Sequence, residues 1–536
     1  MTVQYQFPSL RRDGLTLILG LGETGVAAAR WCAAQGAPLR VLDTRDEPGG
    51  LAALRDSGIA ADLHLGPQAL QETALDGVLT LVLSPGLNPH EAPIAGLLEA
   101  ARARGIEVLG EIELFARALA DLRPQGYAPV VLAVTGTNGK TTVTSLTRHL
   151  AQGCGRRVRA AGNISPAALD SLLDALQTDD LPDVWVLELS SFQLEATTSL
   201  AADAAVVLNI TQDHLDWHGS MSAYAAAKAR ILTMARVRIV NRADARVRTM
   251  VQDLGDLDVR SFGPDAPVLA GDLGLQTQHD LSWLAAAPMA EPEPEPVAPR
   301  RKTQAAVEPA RRPQGTAQAL MPADALQIRG QHNALNALAA LALGAAAGLD
   351  WARMLHALRD YRGEAHRTEF IQSIAGVDFI DDSKGTNVGA TLAALQGLGR
   401  PVVLIAGGLG KGQDFSPLAA AVRAHARAVL LIGQDGPVIG QALAGCAVPL
   451  VPCQTLEQAV REGLELARPG DAVLLSPACA SMDMFRNYAH RSACFIKAVR
   501  ELDESGREAV PADCPAPGES GQHAGREVDG DQGEAA

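Results

Sequence analysis

The run Gly136-Thr-Asn-Gly-Lys-Thr-Thr142 has the residue types and spacing of a phosphate-binding loop. It follows a buried apolar stretch and opens a helical pattern, so its backbone N–H groups form a concave donor surface for phosphate oxygens. Lys140 can neutralise the β- and γ-phosphates, and Thr141 can offer a hydroxyl to Mg²⁺. The loop is shorter than a strict Walker A loop, which has glycine where this chain has Val134. A plain strand–turn–helix corner has no need of this lysine and threonine, so a nucleotide site is predicted at Gly136, Thr137, Asn138, Gly139, Lys140, Thr141 and Thr142.

A second glycine turn, Gly20-x-Gly22-x-x-Gly25, follows the first apolar stretch of the chain, and Asp43 ends the next one. This is the dinucleotide fingerprint, which is weak evidence alone because the pattern also serves helix–strand packing. Two interpretations remain open, an NAD(P) site or a site for another nucleotide diphosphate. Arg45, two residues after the acid, is unusual for NAD selectivity. The run Ser84-Pro-Gly86 ends a further strand and could line the same crevice.

The elements that must position these residues alternate short apolar runs with helical patterns, which predicts parallel α/β sheets. Three strand series each follow their own glycine or turn signal, so we predict three α/β units: an N-terminal Rossmann-like domain (1–120), a central P-loop ATPase-like domain with a parallel sheet (121–325) and a C-terminal Rossmann-like domain (326–510). A Glu-Pro repeat followed by basic residues predicts a solvated insertion at 288–313. The Gly-, Pro- and acid-rich tail, 511–536, is predicted to be disordered.

Composition restricts the function further. The 536 residues carry 46 Lys+Arg against 61 Asp+Glu, a net charge of −15, which argues against broad nucleic-acid binding. No apolar stretch approaches the ~20 residues that span a bilayer, and the first twelve residues lack the apolar core of a secretory signal. The seven cysteines form no CxxC pair, which is typical of free thiols in a reducing compartment. The expected location is the cytoplasm, with no membrane insertion.

Nine sequence runs together resemble the Mur ligases. The resemblance covers nearly the whole chain except the 288–313 insertion and the tail after about residue 510. The runs occur in the family's order: Gly136-Thr-Asn-Gly-Lys-Thr141, Leu187-Glu-Leu-Ser-Ser-Phe-Gln193, Asp213-His-Leu-Asp216, Ala225-Ala-Ala-Lys228, Gly330-Gln-His-Asn333 with Asn336, His366-Arg367, Asp382-Ser-Lys-Gly-Thr-Asn387, Gly407-Gly-Leu-Gly-Lys411 and Ser476-Pro-Ala-Cys-Ala-Ser481.

The resemblance is strongest to the member that adds D-glutamate, and it implies a reaction. That enzyme joins D-glutamate to UDP-N-acetylmuramoyl-L-alanine in cytoplasmic peptidoglycan synthesis and converts ATP to ADP and phosphate through an acyl phosphate. The implied cofactors are ATP, two Mg²⁺ ions and a carbamylated lysine, and a monomer is expected. The first glycine turn would then hold a uridine diphosphate rather than NAD.

The resemblance also assigns site residues by position. A UDP-sugar site is expected at Glu23, Thr24, Asp43, Thr44, Arg45, Ser84, Gly86 and Asn163. Beyond the phosphate loop, ATP is expected to contact Asn333, Asn336, Arg367 and Asp382. D-Glutamate is expected at Lys384, Thr386, Lys411, Ser481, Met482 and Tyr488, the last being usually Phe in the family. Metal ligands are expected at Thr141, Glu188, His214 and carbamylated Lys228, and the catalytic residues at Lys140, His214, Lys228 and Lys384.

Most of these residues have ordinary alternatives when taken singly. Glu188 could be a helix-start carboxylate, His214 a structural histidine and Lys228 a surface lysine of a helix. Three rival functions also remain. A sibling ligase would add a different amino acid, although the Asp-Asn-Pro-Arg motif of the diaminopimelate-adding siblings is missing from the sequence. A dinucleotide-dependent oxidoreductase would leave Lys140 and Lys384 unexplained, and a nucleotide switch would use the phosphate loop without catalysis.

Overall fold

The computed structural model describes residues 5–252, 259–289 and 312–508. The expected insertion at 288–313 lies almost entirely outside the described residues, and the expected tail at 511–536 lies wholly outside them. Within the described ranges, no helix is both long enough and apolar enough to cross a membrane. The six cysteines in these ranges are free thiols.

The first sheet has five parallel strands in the order β3-β2-β1-β4-β5. Fully buried strand residues such as Ile18 and Val41 pack against fully buried residues of the first helix, as expected for a sheet covered by helices. The strands are β1 (Leu15–Leu19), β2 (Leu39–Asp43), β3 (Asp62–Leu65), β4 (Val78–Leu83) and β5 (Glu107–Gly110). The helices are α1 (Glu23–Ala34), α2 (Leu51–Asp56), α3 (Ile94–Ala103) and α4 (Glu111–Leu122).

The central sheet has nine strands in the order β14-β13-β12-β11-β10-β9-β6-β8-β7. Its strands are β6 (Val130–Thr135), β7 (Val158–Gly162), β8 (Val184–Glu188), β9 (Ala202–Val207), β10 (Ala235–Asn241), β11 (Val259–Gly263), β12 (Leu273–Gln278), β13 (Leu281–Ala286) and β14 (Gln318–Pro322). The helices between them are α5 (Lys140–Gly153), α6 (Ala168–Gln177), α7 (Ser191–Glu195), α8 (Leu215–His218), α9 (Met221–Thr233) and α10 (Ala245–Thr249).

The prediction of a parallel central sheet is wrong at one edge. The strands β6 to β12 are all parallel, but β13 pairs antiparallel with both of its neighbours, β12 and β14. His279 and Asp280 connect β12 to β13, and both have positive φ, 50° and 62°. Tight hairpins use two such residues, usually with Asn or Gly. The sequence lacks the usual Asn-Gly signal, so the hairpin was not predicted.

Two helices that follow the central sheet, α11 (Gln331–Ala346) and α12 (Trp351–Asp360), pack against it. Fully buried alanines such as Ala337 and Ala340 let α11 lie close to α5, where Leu146 and Leu150 are also fully buried. The abundance of alanine thus serves close helix packing. The expected boundary near residue 325 separates these two helices from the sheet on which they pack.

The third sheet has six strands in the order β15-β16-β20-β17-β18-β19, parallel except for the edge strand β15. The strands are β15 (Glu369–Ile374), β16 (Val377–Asp381), β17 (Val402–Gly407), β18 (Ala426–Ile432), β19 (Leu450–Pro452) and β20 (Ala472–Leu475). The helices are α13 (Val388–Gly397), α14 (Leu418–His425), α15 (Gly436–Leu443), α16 (Leu456–Leu466) and α17 (Tyr488–Glu508). The prediction of three α/β units is therefore confirmed.

Candidate functional site

The phosphate loop lies between β6 and α5, and its two glycines are required by geometry. Gly136 and Gly139 have φ values of 157° and 84°. A Cβ at Gly139 would lie 2.6 Å from Asn336 Oδ1, so glycine eases the approach of α11 as well as allowing the positive φ. Lys140 Nζ donates to the carbonyl oxygens of Gly136 (2.9 Å) and Thr137 (2.8 Å). Burial lowers the pKa of Lys140.

A cavity of about 210 Å³ lies where this loop, α11 and the third domain meet. Asn336 Nδ2 donates to Asn333 Oδ1 at 3.1 Å, which joins two of the expected ATP-binding residues on one face of α11. Seven of the expected ATP residues line the cavity, namely Asn138, Gly139, Thr142, Asn333, Asn336, Arg367 and Asp382. The structure therefore brings together residues that are more than 200 positions apart in sequence.

Arg367 crosses from the third domain to the phosphate loop. Its Nη2 donates to Thr141 Oγ1 at 2.9 Å, while its buried Nε has no hydrogen-bond partner among the described residues. Thr141 is the expected Mg²⁺ ligand, so this contact places the guanidinium beside an expected metal ligand of the phosphate loop. Such an arrangement can stabilise charge that develops during phosphoryl transfer.

Glu188 ends β8, beside the phosphate loop, and is 2% exposed. Its Oε1 accepts from Asn163 Nδ2 at 3.0 Å, and its buried Oε2 has no partner among the described residues. A buried carboxylate oxygen without a partner fits a hard cation such as Mg²⁺. Asn163, expected at the UDP-sugar site, thus contacts the expected metal ligand.

His214 lies in a left-handed conformation (φ 52°) just before α8. Its Nε2 is 3.6 Å from Asp213 Oδ2, and its ring meets the edge of Phe192, with centroids 4.8 Å apart. Burial lowers the pKa of His214, which favours the neutral ring that a metal ion requires.

Lys228 on α9 is 1% exposed, so it is not an ordinary surface lysine. Its Nζ donates to the Gly136 carbonyl oxygen at 2.9 Å and to Thr135 Oγ1 at 3.4 Å, and lies 4.8 Å from the centroid of the Tyr224 ring. Burial, and then the neighbouring Lys140 cation, hold the pKa of Lys228 well below its usual value. This lowering of the pKa favours the neutral amine, which is the form that reacts with CO₂.

Asp382 and Lys384 follow β16, and Asp382 lines the same cavity. Asp382 Oδ2 accepts from Ser476 Oγ at 2.7 Å, and burial raises the pKa of Asp382 to about 7. Burial, and then the Arg367 cation, lower the pKa of Lys384 to about 8. Lys384 Nζ lies 5.2 Å from the centroid of the Tyr488 ring, a cation–π contact that holds it near the interdomain gap.

The remaining residues expected to bind D-glutamate are less uniform in position. Ser481 is buried, whereas the Met482 side chain is 66% exposed. Lys411 is exposed and has a φ of 52°. Its cation lowers the pKa of His214, so the two side chains share one electrostatic environment across the domain gap. Thr386 is half-buried in the loop that carries Lys384.

The expected UDP-sugar residues other than Asn163 lie at the carboxyl ends of β1, β2 and β4, where open α/β sheets bind ligands. The Arg45 guanidinium forms two hydrogen bonds with Asp43, Nε to Oδ1 at 2.8 Å and Nη2 to Oδ2 at 2.7 Å. Burial would raise the pKa of Asp43, but Arg45 and the Leu21 amide hold it below its usual value. Ser84 Oγ donates to the Gly20 carbonyl oxygen at 2.7 Å. Glu23, Thr24, Thr44 and Gly86 are exposed or half-buried around this point.

The sequence does not predict two residues, Asn209 and Arg491, that support the loops of the site through hydrogen bonds. Asn209 clasps the phosphate loop, since its Oδ1 accepts from the Asn138 amide at 2.8 Å and its Nδ2 donates to the Asn138 carbonyl oxygen at 3.0 Å. Arg491 is fully buried and joins the loops that carry Ser383 and Cys479. The position after a predicted strand could have indicated Asn209, but a lone arginine in a helix gives no such signal.

Comparison with known proteins agrees with this geometry. Three family models match: the Mur ligase MurD-like N-terminal domain at residues 15–110, the Mur ligase middle domain at 134–283 and the Mur ligase glutamate ligase domain at 366–479. The chain is 62% identical to the UDP-N-acetylmuramoylalanine–D-glutamate ligase of Bordetella avium, over 91% of this chain and 96% of that protein. It is 54% identical to the protein of the same name from Burkholderia pseudomallei, over 92% and 98%.

Solved structures show the same fold at low sequence identity. The UDP-N-acetylmuramate-alanine ligase MurC of Thermotoga maritima matches with a TM-score of 0.53 and 19% identity, over 91% of this chain and 100% of that one. MurF of Acinetobacter baumannii matches with a TM-score of 0.53 and 18% identity, over 78% and 90%. Because the three family models match two thirds of the chain and the relatives cover nearly all of it, the chain belongs to the Mur ligase family.

Proposed function

We propose that the protein joins D-glutamate to the alanine carboxylate of UDP-N-acetylmuramoyl-L-alanine, with ATP converted to ADP and phosphate, as a step of peptidoglycan synthesis. The relatives of 54–62% identity carry this activity in their names. One structural observation carries the proposal: Arg367 of the third domain reaches Thr141 of the phosphate loop at 2.9 Å. This contact supports a nucleotide site and an amino-acid site on different domains that face one gap.

The reaction needs an activated carboxylate because a carboxylate oxygen is a poor leaving group. A substrate carboxylate oxygen attacks the γ-phosphorus of ATP, the bond to the bridging oxygen breaks, and ADP leaves. The amine of D-glutamate then attacks the acyl phosphate carbon, loses a proton, and inorganic phosphate departs. Lys140 and Arg367 flank the phosphates and can neutralise their charge, while Lys384 provides a cation for the incoming carboxylate or the transferring phosphate.

The metal site would be held by Thr141, Glu188 and His214. When bound, Mg²⁺ neutralises phosphate charge and orients the reacting oxygens. The buried Oε2 of Glu188 and the lowered pKa of His214 support this ligand set. We propose two ions, since phosphates and carboxylates must meet in one gap.

Carbamylation of Lys228 is part of the proposal. Its amine would add to CO₂ and lose a proton, giving an anionic carbamate. Burial and the depressed pKa supply the neutral amine that this addition requires. Mass spectrometry under native conditions at physiological bicarbonate should find a 44-dalton addition that Lys228→Arg removes, whereas an unmodified wild-type chain would exclude it.

ADP release with UDP-N-acetylmuramoyl-L-alanine, measured with and without D-glutamate, tests the function. Release that depends on D-glutamate is expected. In a panel of amino acids, preference for L-alanine or a diamino acid would identify a sibling ligase instead. Titration with NADH should give no fluorescence change. We propose that the working unit is a monomer in the cytoplasm, which light scattering would report as a mass near 56.0 kDa.

A further inference from the structure

Asn387 joins the third domain to the central domain. It follows the loop that carries Lys384 and is 4% exposed. Its Nδ2 donates to Asn138 Oδ1 at 3.0 Å and to Asp213 Oδ2 at 3.2 Å. Its Oδ1 accepts from the Ala390 amide at 2.9 Å and so caps α13. Both ends of the amide are therefore used, one within its own domain and one across the gap.

The two acceptors on the central domain are themselves fixed. Asn138 is clasped by Asn209 and donates from its Nδ2 to Thr211 Oγ1 at 3.3 Å. Asp213 Oδ1 accepts from the His214 amide at 3.0 Å, which directs Oδ2 toward other donors. Because neither acceptor is free to follow the third domain, their positions define where Asn387 must lie.

The backbone just after Asn387 comes close to the central domain at Gly389. A Cβ at Gly389 would lie 2.8 Å from Asn138 Nδ2 and 2.9 Å from Thr211 Oγ1. Both atoms take part in the hydrogen bonds just described, so they cannot move aside without breaking them. Only glycine at this position lets the first turn of α13 come close enough for Asn387 to reach Asn138.

We infer that Asn387 is a positioning residue that sets the register of the third domain on the phosphate loop, and so places Lys384 and Thr386 for the reaction. The expected effect on kcat rests on the proposed function, whereas the expected effect on the position of the third domain does not. Asparagine suits the position because it both caps α13 and donates across the gap. Aspartate would cap equally well, but its carboxylate would face the Asp213 carboxylate and the side-chain oxygen Oδ1 of Asn138.

The first test is Asn387→Asp, compared with Thr455→Asp as a matched control. Thr455 caps α16 of the same domain by accepting from the Gln458 amide at 3.1 Å, and it is exposed. We expect Asn387→Asp to lower kcat about 10- to 100-fold, the range for losing a buried hydrogen bond to a charged group. Its thermal unfolding midpoint should stay near that of the wild type because the cap is kept. Thr455→Asp should leave kcat unchanged.

The second test is rescue. In Asn387→Asp combined with Asp213→Asn, donor and acceptor are exchanged, so the double variant should recover at least about tenfold in kcat over Asn387→Asp. Gly389→Ala should reduce kcat without altering any hydrogen-bonding group. Wild-type kcat in both Asn387→Asp and Gly389→Ala would overturn the inference. If Asn387→Asp fails to fold, Gly389→Ala decides the question in the same way.

Small-angle X-ray scattering of the full chain separates this inference from the proposed function. The Asn387→Asp protein should have a larger radius of gyration than the wild type, and Thr455→Asp should not. If the wild type shows no ADP release with D-glutamate, the proposed function fails while the scattering result still decides the role of Asn387. Equal radii in Asn387→Asp and wild type, together with failed rescue, would overturn the role.

Discussion

Replacing Arg491 by methionine should lower both the free energy of unfolding and the rate of ADP release. The guanidinium is fully buried in α17 and makes three hydrogen bonds: Nε to Ser383 Oγ (3.0 Å), Nη2 to the Ser383 carbonyl oxygen (2.7 Å) and Nη1 to the Cys479 carbonyl oxygen (3.1 Å). One bonded loop carries Asp382 and Lys384, and the other leads to Ser481. A single side chain thus fixes the spacing of two loops expected at the site.

The size of the effect follows from two opposing contributions. Burial lowers the pKa of Arg491 to about 10, which corresponds to a cost of about 3 kcal/mol for keeping the charge inside. Three hydrogen bonds from a charged donor contribute about 1.5–3 kcal/mol each. The difference leaves a net stabilisation of about 1.5–6 kcal/mol. Methionine fills similar space but leaves two buried carbonyl oxygens without a donor, so most of this stabilisation should be lost.

Urea denaturation of Arg491→Met, followed by circular dichroism, measures this loss. Arg500→Met is the matched control because Arg500 is exposed on the same helix. ADP release should fall about 100-fold in Arg491→Met, since displacement of reacting groups by about 1 Å costs that much. A free energy of unfolding within about 0.5 kcal/mol of both the wild type and Arg500→Met would refute the role of these hydrogen bonds.

Three further outcomes are expected. The KM for D-glutamate should rise as the pH increases through about 8, because Lys384 loses its charge there. Lys384→Arg should flatten this rise, and an unchanged wild-type KM from pH 7 to 9 would contradict the prediction. Glu188→Gln should weaken Mg²⁺ binding about 10-fold or more in calorimetry with the nucleotide analogue AMP-PNP, whereas Glu195→Gln, a partly buried acid paired with His90, should not. Arg367→Lys should lower kcat about 10-fold or more, because lysine cannot keep the contact with Thr141 while also facing phosphate, and wild-type kcat would argue against a charge-stabilising role.

Local pattern predicted much of the fold. The apolar runs Leu15–Leu19, Val78–Leu83 and Ala472–Leu475 are strands with those bounds in the structure, because continuous apolar runs between turn signals leave few alternatives. The pattern could not assign α11 to a sheet, since its alanine-rich face shows burial but not the partner. It also missed the antiparallel edge beyond β12, where His279 and Asp280 adopt a turn usually made by other residues.

The candidate site divides in the same way. The phosphate loop is contiguous, so its residues were found from spacing alone, and the role of each stays a prediction. Lys228 and Glu188 were assigned by resemblance, and the structure adds their burial, which no sequence pattern reports. Asn209, Asn387 and Arg491 each form a hydrogen bond with a residue distant in sequence, 71, 249 and 108 positions away respectively, and these contacts depend on tertiary structure.

The position of β13 and β14 at the edge of the central sheet has a consequence for how this chain can change. The strands β12, β11 and β10 separate them from β9, which borders the strand that carries the phosphate loop. The segment that connects Ala286 to Gln318 therefore begins and ends at strands far from the phosphate loop. Selection on catalysis should act weakly on the length of this segment, so we expect that length to vary among relatives. A fluorescent reporter inserted there should leave turnover intact.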